Sequence, residues 1–302
     1  MKILLVPNNP GWAFDHISKD LLSLKFSTIK IDLKYRNSVK KSDQYHYDLI
    51  YPMSLPIAKK LQKINIPYNK MATGITSKRV FEKQMTNQKK GFKTKFLALL
   101  KQFRGINTAS DEIVNIFKPH FFIYKTRVGI NEKKFLPSNV IKKNEKFTVG
   151  WVGRIDKKNY RELKGYDIVL AALKDLDVQL NIRTYKEQRV PREKMVEFYQ
   201  NLDCLICSSA SEHIPLPVLE AAACGVPIIS TKVGIVPEII KTGENGLIVP
   251  GTSEAIRRAV QFLMSTPQSR YQISENIRAA IVENWTWEKC KSDWEKFFLS
   301  IR

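Results

Sequence analysis

Residues 203–231, DCLICSSASEHIPLPVLEAAACGVPIIST, constrain the fold more tightly than any other stretch of this chain. Asp203 to Ser208 is an apolar run without helical period, the pattern of a short buried strand. A loop with two prolines follows, and Pro217 stands where a first helical residue tolerates proline. Val218 to Ala223 are small or apolar, so this helix can lie close against its neighbours. Gly225 and Pro227 mark its end, and Val226 to Thr231 reads as the next strand. A strand–loop–helix–strand unit of this kind belongs to a parallel sheet, with the loop at the carboxyl end of the first strand.

Glu212 and Glu220 flank that loop, eight residues apart. On one continuous helix this spacing sets them roughly 80° apart, too far for a joint task. With the helix starting between them, Glu212 stays on the loop and Glu220 falls in the first turn, leaning back toward the helix N-terminus. Both are then expected to point into one crevice, where free N–H groups at the helix start offer an anion site. The plain alternative is a solvated Glu212 and a first-turn Glu220 favoured by the helix dipole alone.

The surrounding residues resemble the Glu-x7-Glu signature of retaining glycosyltransferases of family 4. The resemblance is carried by Ser209, Glu212, Pro217, Leu219-Glu220-Ala221 and Ala223-Cys224-Gly225-Val226-Pro227. Further along the chain, Val128-Gly129-Ile130-Asn131 with Phe135-Leu136-Pro137 resembles the segment that ends the family's first domain. Gly153-Arg154 followed by Lys164-Gly165 resembles its Gly-Arg…Lys-Gly pair. Gly234 with Pro237-Glu238, Gly243 to Pro250, and Trp285-Thr286-Trp287 resemble its later motifs. The match is good over roughly residues 128–300 and holds only in outline before them.

The resemblance implies an α/β chain of GT-B architecture, two Rossmann-like parallel-sheet domains facing across a cleft. An acceptor domain would occupy residues 1–140 and a nucleotide-sugar donor domain residues 141–284, with residues 285–302 crossing back to the first. It implies a metal-independent hexosyltransferase whose donor is a nucleotide sugar, UDP- or GDP-linked, with no other cofactor. Arg154 and Lys164 would neutralise the departing diphosphate, because charge developing on a leaving group needs fixed cations. Glu220 would bind the ribose, and Glu212 with His213, Pro215, Leu216, Pro217 and Val218 would meet the sugar and phosphate. Gly153 flanks Arg154, Thr184 and Tyr185 would hold the base, and Gly11 would lie on the first loop. Many family members have Gly-Phe-Gly after the first Glu, whereas this chain has His213-Ile214-Pro215. No histidine of the first half aligns with the family's catalytic one: Met71 to Lys78 contains none, and His16, His46 and His120 lie elsewhere.

Charge bears on partners. Residues 1–140 hold 26 Lys and Arg against 9 Asp and Glu, most of the net charge of +21. Such a half should meet something anionic. Phe92, Phe96, Leu99 and Phe103 recur at helical steps among lysines in residues 76–104, which predicts a basic amphipathic helix. Either that helix binds an anionic membrane face or its apolar stripe packs on the first domain. A glycan or lipid-linked acceptor at the cytoplasmic side of a membrane follows from the resemblance. An enzyme glycosylating nucleic acid would share the fold and use the basic half, but no groove-reading motif is present. A non-catalytic relative would be expected to have lost Arg154, Lys164 or Glu220.

Cys204 and Cys207 form a C-x-x-C inside an apolar strand with no second ligand pair, so core cysteines are expected over zinc ligands. The one Asp-x-Asp, Asp175-Leu176-Asp177, lies between a helix and a strand and is expected to be a turn. Between Arg154 and Lys164, the charged gap with Lys157, Lys158 and Arg161 is expected to be a mobile lip. No apolar run reaches the roughly 20 residues of a membrane span, and the opening MKILLVPNNPGW reads as a first strand, not a signal peptide.

Overall fold

Strands and helices alternate along the chain, and among the described residues every pairing between strands is parallel. The computed structural model describes residues 1–86, 91–138, 145–184 and 190–302. They form two units, Met1–Gly129 with Trp287–Arg302, and Ile130–Thr286. Residues 130–138, assigned by sequence to the first domain, therefore pack with the second. Arg278 shows why: its guanidinium donates to the Phe135 carbonyl at 3.0 Å and to the Glu132 carbonyl at 3.2 Å.

The first unit runs β1 (Lys2–Val6), α1 (Ala13–Ser23), β2 (Lys30–Leu33), α2 (Asp43–His46), β3 (Leu49–Pro52) and α3 (Leu55–Gln62). It continues with β4 (Ala72–Gly74), α4 (Thr94–Leu100), β5 (Gly105–Thr108), α5 (Asp111–Phe117) and β6 (Tyr124–Lys125). Two three-stranded sheets, β2-β1-β3 and β4-β5-β6, are linked by a parallel bridge between Ile50 and Met71. Apolar β1 and β3 have almost no exposed surface, as expected of strands covered on both faces.

The basic amphipathic helix does not form as a long element. Of the described residues between 76 and 104 only Thr94–Leu100 are α-helical, and the aromatic stripe points inward. Phe92 stacks on Phe117 at 4.4 Å, Phe81 meets Phe117 edge-on at 5.0 Å, and Phe96 and Phe103 are buried. The expected amphipathic face is thus core of the first unit. Lys93, Lys95 and Lys101 stay exposed, while Lys89 and Lys90 lie outside the described residues. Among the described residues no helix is long and apolar enough to cross a membrane.

The second unit runs β7 (Phe147–Gly153), α6 (Lys158–Lys164), α7 (Tyr166–Leu173), β8 (Val178–Thr184), α8 (Met195–Gln200), β9 (Cys204–Cys207) and α9 (Leu216–Ala223). It ends with β10 (Ile228–Ser230), α10 (Val236–Ile239), β11 (Leu247–Ile248), α11 (Ser253–Ser265) and α12 (Pro267–Asn284). The sheet order is β11-β10-β9-β7-β8. From β7 the chain first steps to one side, to β8, and then returns past it to β9 and continues the other way. That reversal creates a switch point between β7 and β9, and the crevice outside their carboxyl ends is where open α/β sheets bind ligands.

Trp151, Cys204, Ile206 and Ile229 pack with Val169 on α7 and with Ile256 and Val260 on α11, which cover one face. Cys204 is therefore a core side chain. The other face is close-packed enough that a Cβ at Gly150 would lie 2.1 Å from the Leu202 side chain. Asp175 sits in a left-handed turn and Asp177 pairs with Lys146, so the Asp-x-Asp is a turn at the amino end of β8, across the sheet from the carboxyl ends.

The last helix, α13 (Trp287–Ser300), belongs to the first unit. Tyr51 contacts the rings of Trp294 and Phe298 at 5.8 Å each, and Arg127 binds Asp293 at 2.8 Å.

Candidate active site

Four segments converge at the switch point of the second unit: the end of β7, the α6–α7 corner, the loop after β9 and the start of α9. Their joining follows from small residues and hydroxyls. The Trp151 indole N–H donates to the Ser208 hydroxyl at 3.2 Å, and that hydroxyl donates to the Lys164 carbonyl at 2.8 Å. The Ala210 N–H bonds the Leu163 carbonyl at 2.8 Å. Gly165 ends α6 in the left-handed region (φ 65°), and a Cβ there would lie 2.3 Å from the Ser208 carbonyl oxygen. Gly153 is bare for a similar reason, since the Trp151 ring lies over it at 2.3 Å from where a Cβ would be.

This junction brings Lys164 onto Glu212. The ammonium and the carboxylate form an ion pair, both mostly buried, and the Ser209 hydroxyl donates to the same carboxylate oxygen at 2.7 Å. Thr231 in turn fixes the loop by donating to the Ser209 carbonyl at 2.6 Å. One residue past β7, Arg154 holds Asp156 by a two-pronged contact of 2.9 and 2.8 Å and lies over the Tyr160 ring at 3.8 Å. Asp156 and Tyr160 were not picked out by sequence. Asp156 could have been, because residues two apart on extended chain share a face. The expected lip between Arg154 and Lys164 is instead the helix α6, with Arg161 paired to Asp167.

Glu220 falls one residue deeper in its helix than expected. α9 begins at Leu216 with Pro217 second, so Glu220 is the fifth residue, outside the first turn. It is buried and accepts from Tyr199 on α8 at 2.8 Å and from Arg192 Nε at 3.0 Å. The described hydrogen bonds thus hold Glu212 and Glu220 with separate partners. The α9 start is also a poorer anion site than expected. Pro217 has no N–H, and the Val218 and Leu219 N–H groups bond the Pro215 carbonyl at 2.8 and 3.4 Å.

His213 is buried, and burial lowers its pKa to about 4, so its ring is neutral near pH 7. Its carbonyl accepts from the Ile235 N–H at 3.0 Å, and a Cβ on Gly234 (φ 51°) would lie 2.2 Å from that oxygen. Gly234, noted in the sequence only as part of a later motif, thus buttresses the loop after β9. Thr184 ends β8 and is buried, while Tyr185 lies outside the described residues.

Gly11 is in the first unit, in the loop after β1, with φ 73°. Its N–H donates at 2.7 Å to Asp15, a fully buried carboxylate that also accepts from Lys19 and Tyr35 at 2.9 Å each. Burial alone would raise the Asp15 pKa. The Gly11 N–H, Lys19 and Tyr35 outweigh it and hold the carboxyl below its usual range. The Gly11 N–H is therefore used in bracing its own loop.

The family model "Glycosyl transferases group 1" matches residues 177–280, the part of the second unit that contains Glu212 and Glu220. Residues 177–280 are similar to group 1 glycosyl transferases. Among curated proteins, N-acetyl-alpha-D-glucosaminyl L-malate synthase of Bacillus anthracis is 29% identical over 135 residues, covering 44% of this chain and 34% of that relative. The match thus spans about a third of the relative's own length. Solved structures match along the whole chain. Sucrose-phosphate synthase from Thermosynechococcus elongatus aligns over 100% of this chain and 99% of its own, with TM-score 0.77 and 16% identity. Anabaena HepE, in complex with UDP and glucose, aligns over 99% and 100% with TM-score 0.72 and 15% identity. These are glycosyltransferase structures, and the fold of this chain is GT-B, built of Rossmann-like parallel-sheet units.

Proposed function

We propose that the chain is a retaining, metal-independent hexosyltransferase. It takes a hexose from a UDP- or GDP-linked donor to a glycan or lipid-linked acceptor, in cell-surface polysaccharide or glycolipid synthesis on the cytoplasmic side. One observation carries the reading: Arg154, Lys164 and Glu212 are gathered at the carboxyl ends of β7 and β9, at the sheet's switch point. The bond from the sugar to the diphosphate breaks as a bond to the acceptor hydroxyl oxygen forms, and the hydroxyl proton passes to the departing phosphate oxygen. Negative charge grows on the leaving phosphate, which Arg154 meets with a planar fork and Lys164 with a point charge. To reach the phosphate, Lys164 exchanges Glu212 for it, and Glu212 is then released toward the sugar. Glu220 takes the ribose. The UDP and glucose bound to HepE and the sugar named in the malate synthase support a nucleotide-sugar donor. With Phe92, Phe96 and Phe103 inside the core, any attraction of the basic half to a membrane is electrostatic and falls with salt.

The test is nucleotide release from UDP-, GDP-, ADP- and dTDP-hexoses in the presence of a chelator. Release from one donor is expected, lowered roughly 100-fold or more in Arg154→Ala and strongly weakened in Glu220→Ala. Neither release nor binding of any nucleotide would refute the reading.

A further inference from the structure

A glutamate carboxylate turns easily about its last torsion, which is broad and roughly two-fold, so what fixes its plane is whatever donates to its oxygens. Among the donors to Glu220, one reaches each oxygen from outside its own helix. Tyr199 on α8 holds Oε2 at 2.8 Å, and Arg192 Nε holds Oε1 at 3.0 Å. The Glu220 and Arg192 side chains are only 7% and 13% exposed, and Tyr199 is fully buried. The Arg192 guanidinium lies over the Phe135 ring at 5.5 Å, which fixes its own position. Burial, with the Glu220 charge beside it, pushes the Tyr199 phenol well above its ordinary pKa, so it stays a donor at any working pH.

The place in the fold gives this clamp a use. Arg192 enters between β8 and α8, and α9 starts after β9, so both approach from the carboxyl edge of the sheet, where the donor site lies. The two oxygens of a carboxylate offer about four acceptor directions, so donors such as Tyr199 and Arg192 are compatible with ligand hydroxyls on the same group. The matching ligand group is a vicinal diol, two hydroxyls on neighbouring carbons. Such a contact needs the carboxylate plane held, because a rotated plane satisfies one hydroxyl and loses the other.

We propose that Arg192 and Tyr199 are positioning residues that lock the Glu220 carboxylate for the ribose diol, and so set selectivity for ribonucleotides over deoxyribonucleotides. The inference rests on the reading that Glu220 receives the ribose. Neither residue need touch the nucleotide. Their effect should therefore appear in discrimination at the sugar more than in overall affinity or in turnover at saturating donor.

The experiment is calorimetric titration of the whole protein with UDP, GDP and ADP and with the 2′-deoxy and 3′-deoxy forms of whichever binds best. The variants are Tyr199→Phe, which keeps the ring and removes one donor, and Arg192→Met, which keeps the apolar stem and removes the other. A melting curve for each variant confirms that it is folded. The native protein should prefer the ribonucleotide over at least one deoxy form by roughly tenfold or more, the weight of a hydrogen bond to a charged group. In folded Tyr199→Phe and Arg192→Met that ratio should fall to about threefold or less, with the deoxy affinity nearly unchanged. Unaltered ratios in both folded variants would overturn the inference, as would a native protein that binds nucleotide without discriminating. If the native protein bound no nucleotide at all, the donor-site reading itself would fall. Should one variant not fold, the ratio in the other decides.

Discussion

Lys164→Ala should lower turnover of the nucleotide sugar at saturating donor by roughly 100-fold or more, with a smaller change in donor affinity. The lysine is mostly buried and stands at the α6 C-terminus, directly before the Gly165 corner. Removing it also strips Glu212 of its cation partner, and a partly buried carboxylate left so costs stability. Two controls separate these effects. Lys164→Arg keeps the charge and should keep part of the turnover, and Glu212→Gln in the Lys164→Ala background should recover stability but not rate. A folded Lys164→Ala protein with turnover within about threefold of native would contradict the phosphate role.

Gly165→Ala should be among the most damaging conservative changes in the second unit, comparable to Gly234→Ala. Gly165 sits at φ 65°, where an L side chain costs roughly 1–2 kcal/mol. Its new Cβ would also lie 2.3 Å from the Ser208 carbonyl oxygen, a backbone atom that cannot rotate away. Either α6 or the loop after β9 must shift, and the total loss should reach about 3 kcal/mol or more in denaturant unfolding. Gly243→Ala is the control. That glycine has φ 85° but nothing within 4 Å of a new Cβ, so only the backbone strain of roughly 1–2 kcal/mol is expected. Equal losses at the two positions would mean that the close approach at Ser208 carries no energy. Because Gly165 follows Lys164, its alanine variant should also lose donor turnover in the fraction that stays folded.

The strand–loop–helix core of the second unit was legible because its signals are local. An apolar run, a proline and a small-residue helix closed by glycine each act within a few residues. The parallel sheet and its loop at the carboxyl edge followed from these. Where two elements set the outcome, the sequence was silent. Glu220 was placed in a first turn, but α9 starts a residue earlier, and its partners Tyr199 and Arg192 lie 21 and 28 residues away. Nothing near Arg192 announces them. The aromatic stripe at residues 92–103 was ambiguous for another reason: three- and four-residue steps are satisfied by any segment that buries one side, helical or not. Phe117 on α5 and Phe81 decide the matter by enclosing it. Arg154, Lys164 and Glu212 were recognisable by motif, whereas the pairing of Lys164 with Glu212 and of Arg154 with Asp156 becomes visible only once the chain is folded.

The most direct test of the donor site is a crystal structure of the protein with the preferred nucleoside diphosphate at saturating concentration. The diphosphate should lie on Arg154 and Lys164 at the carboxyl ends of β7 and β9, with the ribose hydroxyls on Glu220 and Lys164 no longer paired to Glu212. Nucleotide bound elsewhere, with the Lys164–Glu212 pair intact, would contradict it.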